Sequence, residues 1–255
     1  MSPLLEHFLA HALPIGLRTG GLMTFAPFLG DEAIPARVKA GFTLVLTAML
    51  YSVCPVPDFQ LDALHWTRIV VGEAGVGLLM GLSVRLVLEG MQIAGQLAGA
   101  QLGFSLAAII DPQTNIETPV LAVFHQMIAL LIFLQLDVHH WMLRAIVRSF
   151  DYLPAGALVM TRATVEEMVH AAGGMWLIGV QVAAPVLLAT MLVDIAVGFL
   201  SKASPQLPAL FVGMSAKSLI GYLVLAAAAA LWPHLLEGQF AHALGWSERM
   251  LHLAQ

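Results

Sequence analysis

Charge is what this sequence has least of. Only 11% of its 255 residues are Asp, Glu, Lys or Arg, against roughly a quarter in a soluble domain, while 59% are hydrophobic. A water-facing surface cannot be covered with so little charge, which excludes a soluble enzyme. Cysteine is nearly absent too. Cys54 is the single one, so an internal disulfide and a cysteine-based zinc site are excluded, and it reads as a small core residue. The 11 Lys and Arg are scattered and the net charge is −5, so there is no basic face to neutralise phosphates and nucleic acid is not a partner. There is no phosphate-binding loop either, so the chain is not itself a nucleotide-driven pump. Glu6 and His7 precede any Lys or Arg, and no cleavage pattern follows a short apolar core. The first helix is therefore expected to be retained.

What the sequence does have is long charge-poor runs, at 4–29, 41–56, 69–110, 120–136, 171–200 and 209–232. These hold only seven of the 27 charged residues: Glu6, Arg18, Glu73, Arg85, Glu89, Asp194 and Lys217. The runs are continuous and rich in Ala, Leu and Met, without the short alternating segments of a membrane barrel, which predicts an all-α polytopic membrane protein. A bilayer core of about 30 Å takes around 20 helical residues. Two runs are shorter than that, and the run at 69–110 would reach roughly twice that thickness. It either folds back near Glu89 and Gly90 or projects from the bilayer. The linkers are compact and rich in Pro, Asp and Gly, and none marks a domain boundary. Lys and Arg are too evenly spread over them to set an orientation by the positive-inside rule.

Six groups of residues could carry function. Gly95, Gly99 and Gly103 recur every four residues and predict a helix face that another helix can approach closely, with Gln92, Gln96 and Gln101 on the same segment. Asp111, Pro112, Gln113, Thr114, Asn115, Ile116, Glu117, Thr118 and Pro119 form the most polar break between apolar runs, a loop outside the bilayer or lining a passage. Arg85 and Glu89, at i and i+4, can pair within the membrane. Asp194 and Lys217 read as single charges snorkelling to the interface. His7 with His11, and Asp137 with His139 and His140, raise metal binding, but no ligand set completes it and no metal or cofactor is expected. Gly103-Phe104-Ser105-Leu106-Ala107 lacks the last glycine of a nucleophile elbow, leaving Ser105 as a packing hydroxyl.

Ala26-Pro27-Phe28 is followed by Ile34-Pro35-Ala36-Arg37-Val38-Lys39, then Gln101-Leu102-Gly103-Phe104 leads to Asp111-Pro112-Gln113-Thr114. Leu136-Asp137-Val138-His139-His140 and Ser149-Phe150-Asp151-Tyr152-Leu153-Pro154 follow, and Ser204-Pro205-Gln206-Leu207 comes near the end. In this order the stretches resemble the FliR family of flagellar biosynthetic proteins, which is similar to a subunit of virulence type III secretion systems. The motif residues are thus Pro35, Arg37, Gln101, Phe104, Asp137, His140, Pro205 and Gln206. Pro208 stands where the family usually has Asn, and Met214-Ser215-Ala216-Lys217 where Phe-Pro-x-Lys is common.

The resemblance implies a non-enzymatic, pore-forming subunit of the type III flagellar export gate. It would assemble with FliP-like and FliQ-like subunits and the FlhB-like switch protein, and conduct unfolded export substrates. It also implies kinked helical hairpins, with a FliP-like part at 1–164 and a FliQ-like hairpin part at 165–255. The place implied is the bacterial inner membrane at the flagellar basal body, with much of the chain at periplasmic level. The stretch Asp111–Thr118 would be the loop that plugs the closed channel. Two other readings compete: a secondary transporter with broken helices, Pro185 among them, and an intramembrane protease using Ser105 with His125 or His139.

Overall fold

The structure, a computed structural model, describes residues 3–28, 30, 34–54, 63–104, 120–204, 206 and 208–254; the side chains of 3–7, 9, 63–65, 209 and 210 lie outside it. The described residues form eight helices and no strand. They are α1 (Pro3–Phe25), α2 (Ala36–Leu50), α3 (Ala63–Gln101), α4 (Val120–Gln135), α5 (Val138–Tyr152), α6 (Arg162–Ala203), α7 (Ala209–Ala229) and α8 (Trp232–Leu253). The chain is an all-α polytopic membrane protein. Among the described residues three helices are long and apolar enough to cross a bilayer, or up to four if α4 and α5 count as one broken span.

Proline and left-handed residues punctuate these helices. Pro35 and Pro208 stand just before α2 and α7, where a missing N–H is harmless. Leu153, ahead of Pro154, turns extended at φ −127° and ends α5. Asp137 takes φ 54° and separates α4 from α5; aspartate is one of the few residues that visits this region readily.

The charge-poor run at 69–110 does not fold back at Glu89 and Gly90. Intrahelical bonding carries α3 unbroken through them for 39 residues, about 58 Å at 1.5 Å per residue and nearly twice a bilayer core. Two helices lie outside the charge-poor runs because they carry charge. In α5, Val138, Met142, Ala145, Ile146, Ser149 and Phe150 form the buried stripe while Arg144, Arg148 and Asp151 are exposed. In α8, Glu237 and Arg249 leave the core to Trp232, Leu236, Phe240 and Met250.

The chain divides into two compact units that are discontinuous in sequence. The first comprises Met1–Val87, Phe133–Ala172 and Gln239–Gln255, and the second Leu88–Ile132 and Gly173–Gly238. In the first, Leu79, Trp246 and Met250 form a buried cluster with Met168 and Ala171 against it, and Cys54 is buried at 3% exposure. Burial there pushes the Cys54 thiol pKa up. The second unit is apolar outside as well as inside. Only 28% of the most apolar window of α6 and 11% of that of α7 is buried, leaving Leu177, Leu188, Phe211 and Leu223 more than 60% exposed. Helices apolar all round need a surrounding other than water.

Candidate functional site

Two constructions stand out, one in each unit. In the first unit, α1 and α3 cross backbone to backbone. A Cβ on Gly21 would lie 2.5 Å from the Ala74 carbonyl oxygen and 3.1 Å from the Gly77 Cα, and one on Gly81 2.7 Å from the Leu22 carbonyl oxygen. At Gly77 a Cβ would fall on the Arg18 carbonyl oxygen and the Leu22 nitrogen. Glycines at a helix crossing let main chains meet and so replace side-chain packing with close dispersion contact.

That crossing carries Arg18 into the interior with no exposed surface. Its Nε donates to Glu73 Oε2 at 2.7 Å, Nη1 to Ser149 Oγ at 2.7 Å and Nη2 to the Leu153 carbonyl at 3.1 Å. The guanidinium also lies 3.8 Å over the Phe150 ring. The other Glu73 oxygen accepts the Gly156 N–H at 3.0 Å, and Gly156 holds φ +79° to present it. Each charge is thus met by an opposite charge and by hydrogen bonds, the condition under which a buried ion pair is tolerable. One fork ties α1 to α3, to α5 and to the turn that follows α5. The planar five-donor guanidinium is suited to that task, and a lysine could not make all three contacts.

In the second unit the construction is the base of the segment 105–119. The end of α3 is held from α7: Ser218 Oγ donates to the Leu102 carbonyl at 3.2 Å, and the Leu102 side chain fills the notch left by Gly221. Lys217 Nζ is 2.6 Å from Asp194 Oδ2 and 3.5 Å from Gln101 Oε1. Gly103 then turns the chain at φ +93°. Where the chain re-enters, the start of α4 presses on α3: a Cβ on Gly95 would stand 2.5 Å from the Ala122 Cα and 2.6 Å from the Leu121 carbonyl oxygen. Both ends of the segment are therefore fixed to packed helices. Asp194 and Lys217 do not snorkel apart as expected. Gly213 lets α7 close on Val197 of α6, a Cβ there lying 3.2 Å from Val197 Cγ1, and that approach brings the two charges together.

A family model described as bacterial export proteins, family 1, matches residues 9–243 of this chain. The chain is similar to the flagellar biosynthetic protein FliR of Bacillus subtilis (strain 168), 30% identical over 229 residues that cover 88% of each chain. It is 28% identical over 211 residues to that of Escherichia coli (strain K12), covering 83% of this chain and 81% of the relative. With that of Caulobacter vibrioides it shares 28% over 214 residues, 82% and 84% of the two. The chain belongs to the FliR family.

The described FliR-type motif residues fall at helix ends or in the turns beside them. Pro35 precedes α2, Arg37 is exposed in its first turn, Gln101 closes α3, and Phe104 is 39% exposed just beyond. Gln206 is exposed in a turn, and Pro205 lies outside the described residues. So do Asp111, Pro112, Gln113, Thr114, Asn115, Ile116, Glu117 and Thr118, and Ser105 with them. Asp137 and His140 meet at the start of α5, with Asp137 Oδ1 3.2 Å from His140 Nδ1 and 3.8 Å from His139 Nε2. One ligand atom from each of the three lies within 4.8 Å of the others. His139 Nδ1 is buried without a partner, whereas a metal-bound imidazole ordinarily donates its second N–H to an acceptor. The donor set lacks that supporting contact. His125 Nδ1 donates to the Leu121 carbonyl at 2.8 Å, and its ring packs on Trp232 at 4.7 Å, so that nitrogen is taken by its own helix. Arg85 and Glu89 sit half-buried one turn apart on α3, and the Arg85 guanidinium lies 5.8 Å over Phe25.

Arg18, Glu73 and Ser149 are the residues that sequence reasoning missed as a group. Two opposite charges in otherwise apolar runs were the available signal, but 55 positions separate Arg18 from Glu73 and 131 separate it from Ser149. The glycine stripe is also uneven. A Cβ on Gly99 meets only the Leu121 Cβ, at 3.6 Å, an ordinary contact. Gly95→Val is therefore expected to destabilise the detergent-purified chain by at least about 1–3 kcal/mol. Gly99→Ala is expected to stay within about 0.5 kcal/mol. Unfolding in mixed micelles followed by circular dichroism measures both, and equal effects would show that α4 does not press on Gly95.

Proposed function

We propose that this chain is a structural, non-enzymatic, pore-forming subunit of the flagellar type III protein export gate. It assembles with FliP-like and FliQ-like subunits and with the FlhB-like switch protein, and conducts unfolded export substrates. Its place is the bacterial inner membrane at the flagellar basal body, with much of it at periplasmic level. Membership of the FliR family carries this reading. The bare apolar faces of α6 and α7 support it, because sibling helices as well as lipid can cover them. The buried charges fit a scaffold better than a transporter. Arg18 and Glu73 are paired with each other and hydrogen-bonded to further protein groups at 0% and 1% exposure, out of reach of a passing solute.

On this reading residues 1–164 form the FliP-like part and 165–255 the FliQ-like hairpin part, and the loop Asp111–Thr118 plugs the closed channel. A plug must be tethered at its base. The packing of Leu102 on Gly221 and of Ala122 on Gly95 supplies the tether. Deleting residues 111–118 in the assembled gate is expected to raise ion conductance across the membrane several-fold while the subunits still co-purify. Wild-type conductance together with wild-type secretion would remove the plug assignment.

A further inference from the structure

In the second unit, α3 ends without a cation of its own. The last carbonyls of a helix have no intrahelical partner and together carry about half a negative charge, which a basic residue in the last turn commonly meets. The last turn of α3 reads Ala98-Gly99-Ala100-Gln101 and holds no basic residue. The cation comes instead from α7. Lys217 Nζ stands 3.5 Å from Gln101 Oε1, and the neighbouring Ser218 Oγ donates to the Leu102 carbonyl at 3.2 Å. Two consecutive residues of α7 thus do for α3 what a basic last turn and a local cap do for other helices.

Asp194 accounts for the ammonium staying there. A lysine on an apolar helix is costly in a membrane, and its flexible four-carbon stem lets the charge reach away from protein. Asp194 Oδ2 of α6 holds Nζ at 2.6 Å, with the Lys217 side chain 21% exposed and that of Asp194 55%. This pair differs from the enclosed one of Arg18 and Glu73: its carboxylate is half open, and it reaches α3 through the lysine. The apolar side of the same contact is Leu102 in the notch of Gly221. Gly103, at φ +93°, then turns the chain two residues before the segment 105–119 begins. The last described residues ahead of that segment therefore take their position from α7 as well as from α3.

We propose that Lys217 is a positioning residue: anchored by Asp194, it caps α3 from α7, and this latch sets the point from which segment 105–119 departs, so that a movement of α7 carries that point with it. In the export gate the departure point is the foot of the plug, a consequence that rests on the plug reading above. Amide hydrogen exchange of the full chain in mixed micelles reads the cap. Lys217→Met keeps the stem and removes the charge, and is expected to speed exchange at residues 102–104 about three- to tenfold, while peptides from α1 and α4 keep wild-type rates. Lys217→Arg keeps the charge and should stay within about twofold. The charge swap Asp194→Lys, Lys217→Asp separates a cap from a plain ion pair between α6 and α7. It restores the pair but sets a carboxylate against the negative end of α3, so exchange should remain fast. Where circular dichroism shows that Lys217→Met misfolds, Ser218→Ala decides, with an expected rise of about two- to tenfold for one lost hydrogen bond. In the assembled gate Lys217→Met is expected to raise ion conductance above wild type but below the level of the 111–118 deletion. Wild-type exchange at residues 102–104 in both single variants, full recovery in the swap, or wild-type conductance from Lys217→Met beside a leaking deletion would overturn the latch. Fast exchange in Lys217→Met together with a deletion that leaves conductance unchanged would uphold the latch and remove the plug reading alone.

Discussion

Arg18→Met is expected to lower the stability of the first unit by about 3–5 kcal/mol, because it strands Glu73 as an uncompensated carboxylate at 1% exposure. The loss is not that of the Arg18–Glu73 attraction alone. Ser149 Oγ and the Leu153 carbonyl also lose donors, and the Phe150 face loses its cation. The double variant Arg18→Met, Glu73→Leu should recover most of the loss, since replacing a whole buried pair by apolar groups of similar volume is often neutral. Arg18→Lys should fall between, keeping the charge but not the fork. Denaturation of the purified chain in mixed micelles, followed by circular dichroism, ranks the three. If the single and double variants were equally destabilised, the pair would be acting by packing and not by charge.

The second large effect is expected at Gly77. A Cβ there overlaps main-chain atoms of Arg18 and Leu22, so neither a rotamer change nor a small side-chain shift can relieve it. Gly77→Leu should exceed the about 1–3 kcal/mol typical of overpacking and leave little folded chain. Gly77→Ala should already fall at or above that range. A matched control is Gly41→Ala in α2, where a Cβ meets nothing within 4 Å; relief of the glycine penalty should stabilise by up to about 1 kcal/mol. Because Gly77 seats the residue that carries the buried fork, Gly77→Ala and Arg18→Met are expected to be non-additive. Yield of monodisperse protein and micelle unfolding read out the series. A wild-type Gly77→Leu would mean that α1 and α3 do not cross there.

The sites differ in how far they could be read from the chain alone. The Gly95, Gly99 and Gly103 spacing predicted one helix face, yet Gly103 lies beyond the end of α3 in a turn at φ +93°, and Gly77 and Gly81, also four residues apart, sit at the tighter crossing. Periodicity says which residues share a face, not which face meets another helix. The charge-poor runs located most of the apolar helices. They missed α5 and α8, whose polar sides carry Arg144, Arg148, Glu237 and Arg249, because amphipathic helices escape a test built on charge alone. The turn chemistry at Pro35 and Pro208 was local and visible, whereas the left-handed Asp137 that divides α4 from α5 was not anticipated.

What the sequence determined by itself was the solvent and the class of fold. Charge is too scarce to face water, the apolar runs are too long and continuous for strands, and the ordered motifs from Pro35 to Gln206 resemble one family, to which the chain belongs. Those properties are carried by composition and by neighbours along the chain. Only the tertiary structure decided which charges cancel: Arg18 with Glu73, and Lys217 with Asp194. It also decided that α3 continues through Glu89 and Gly90, and that Gly77 and Gly95 are closed on by main chain while Gly99 is not. Each of those choices but the continuity of α3 depends on a partner far away in sequence. A buried charge requires some partner but does not name it, and a glycine permits a close approach without specifying the helix that makes it.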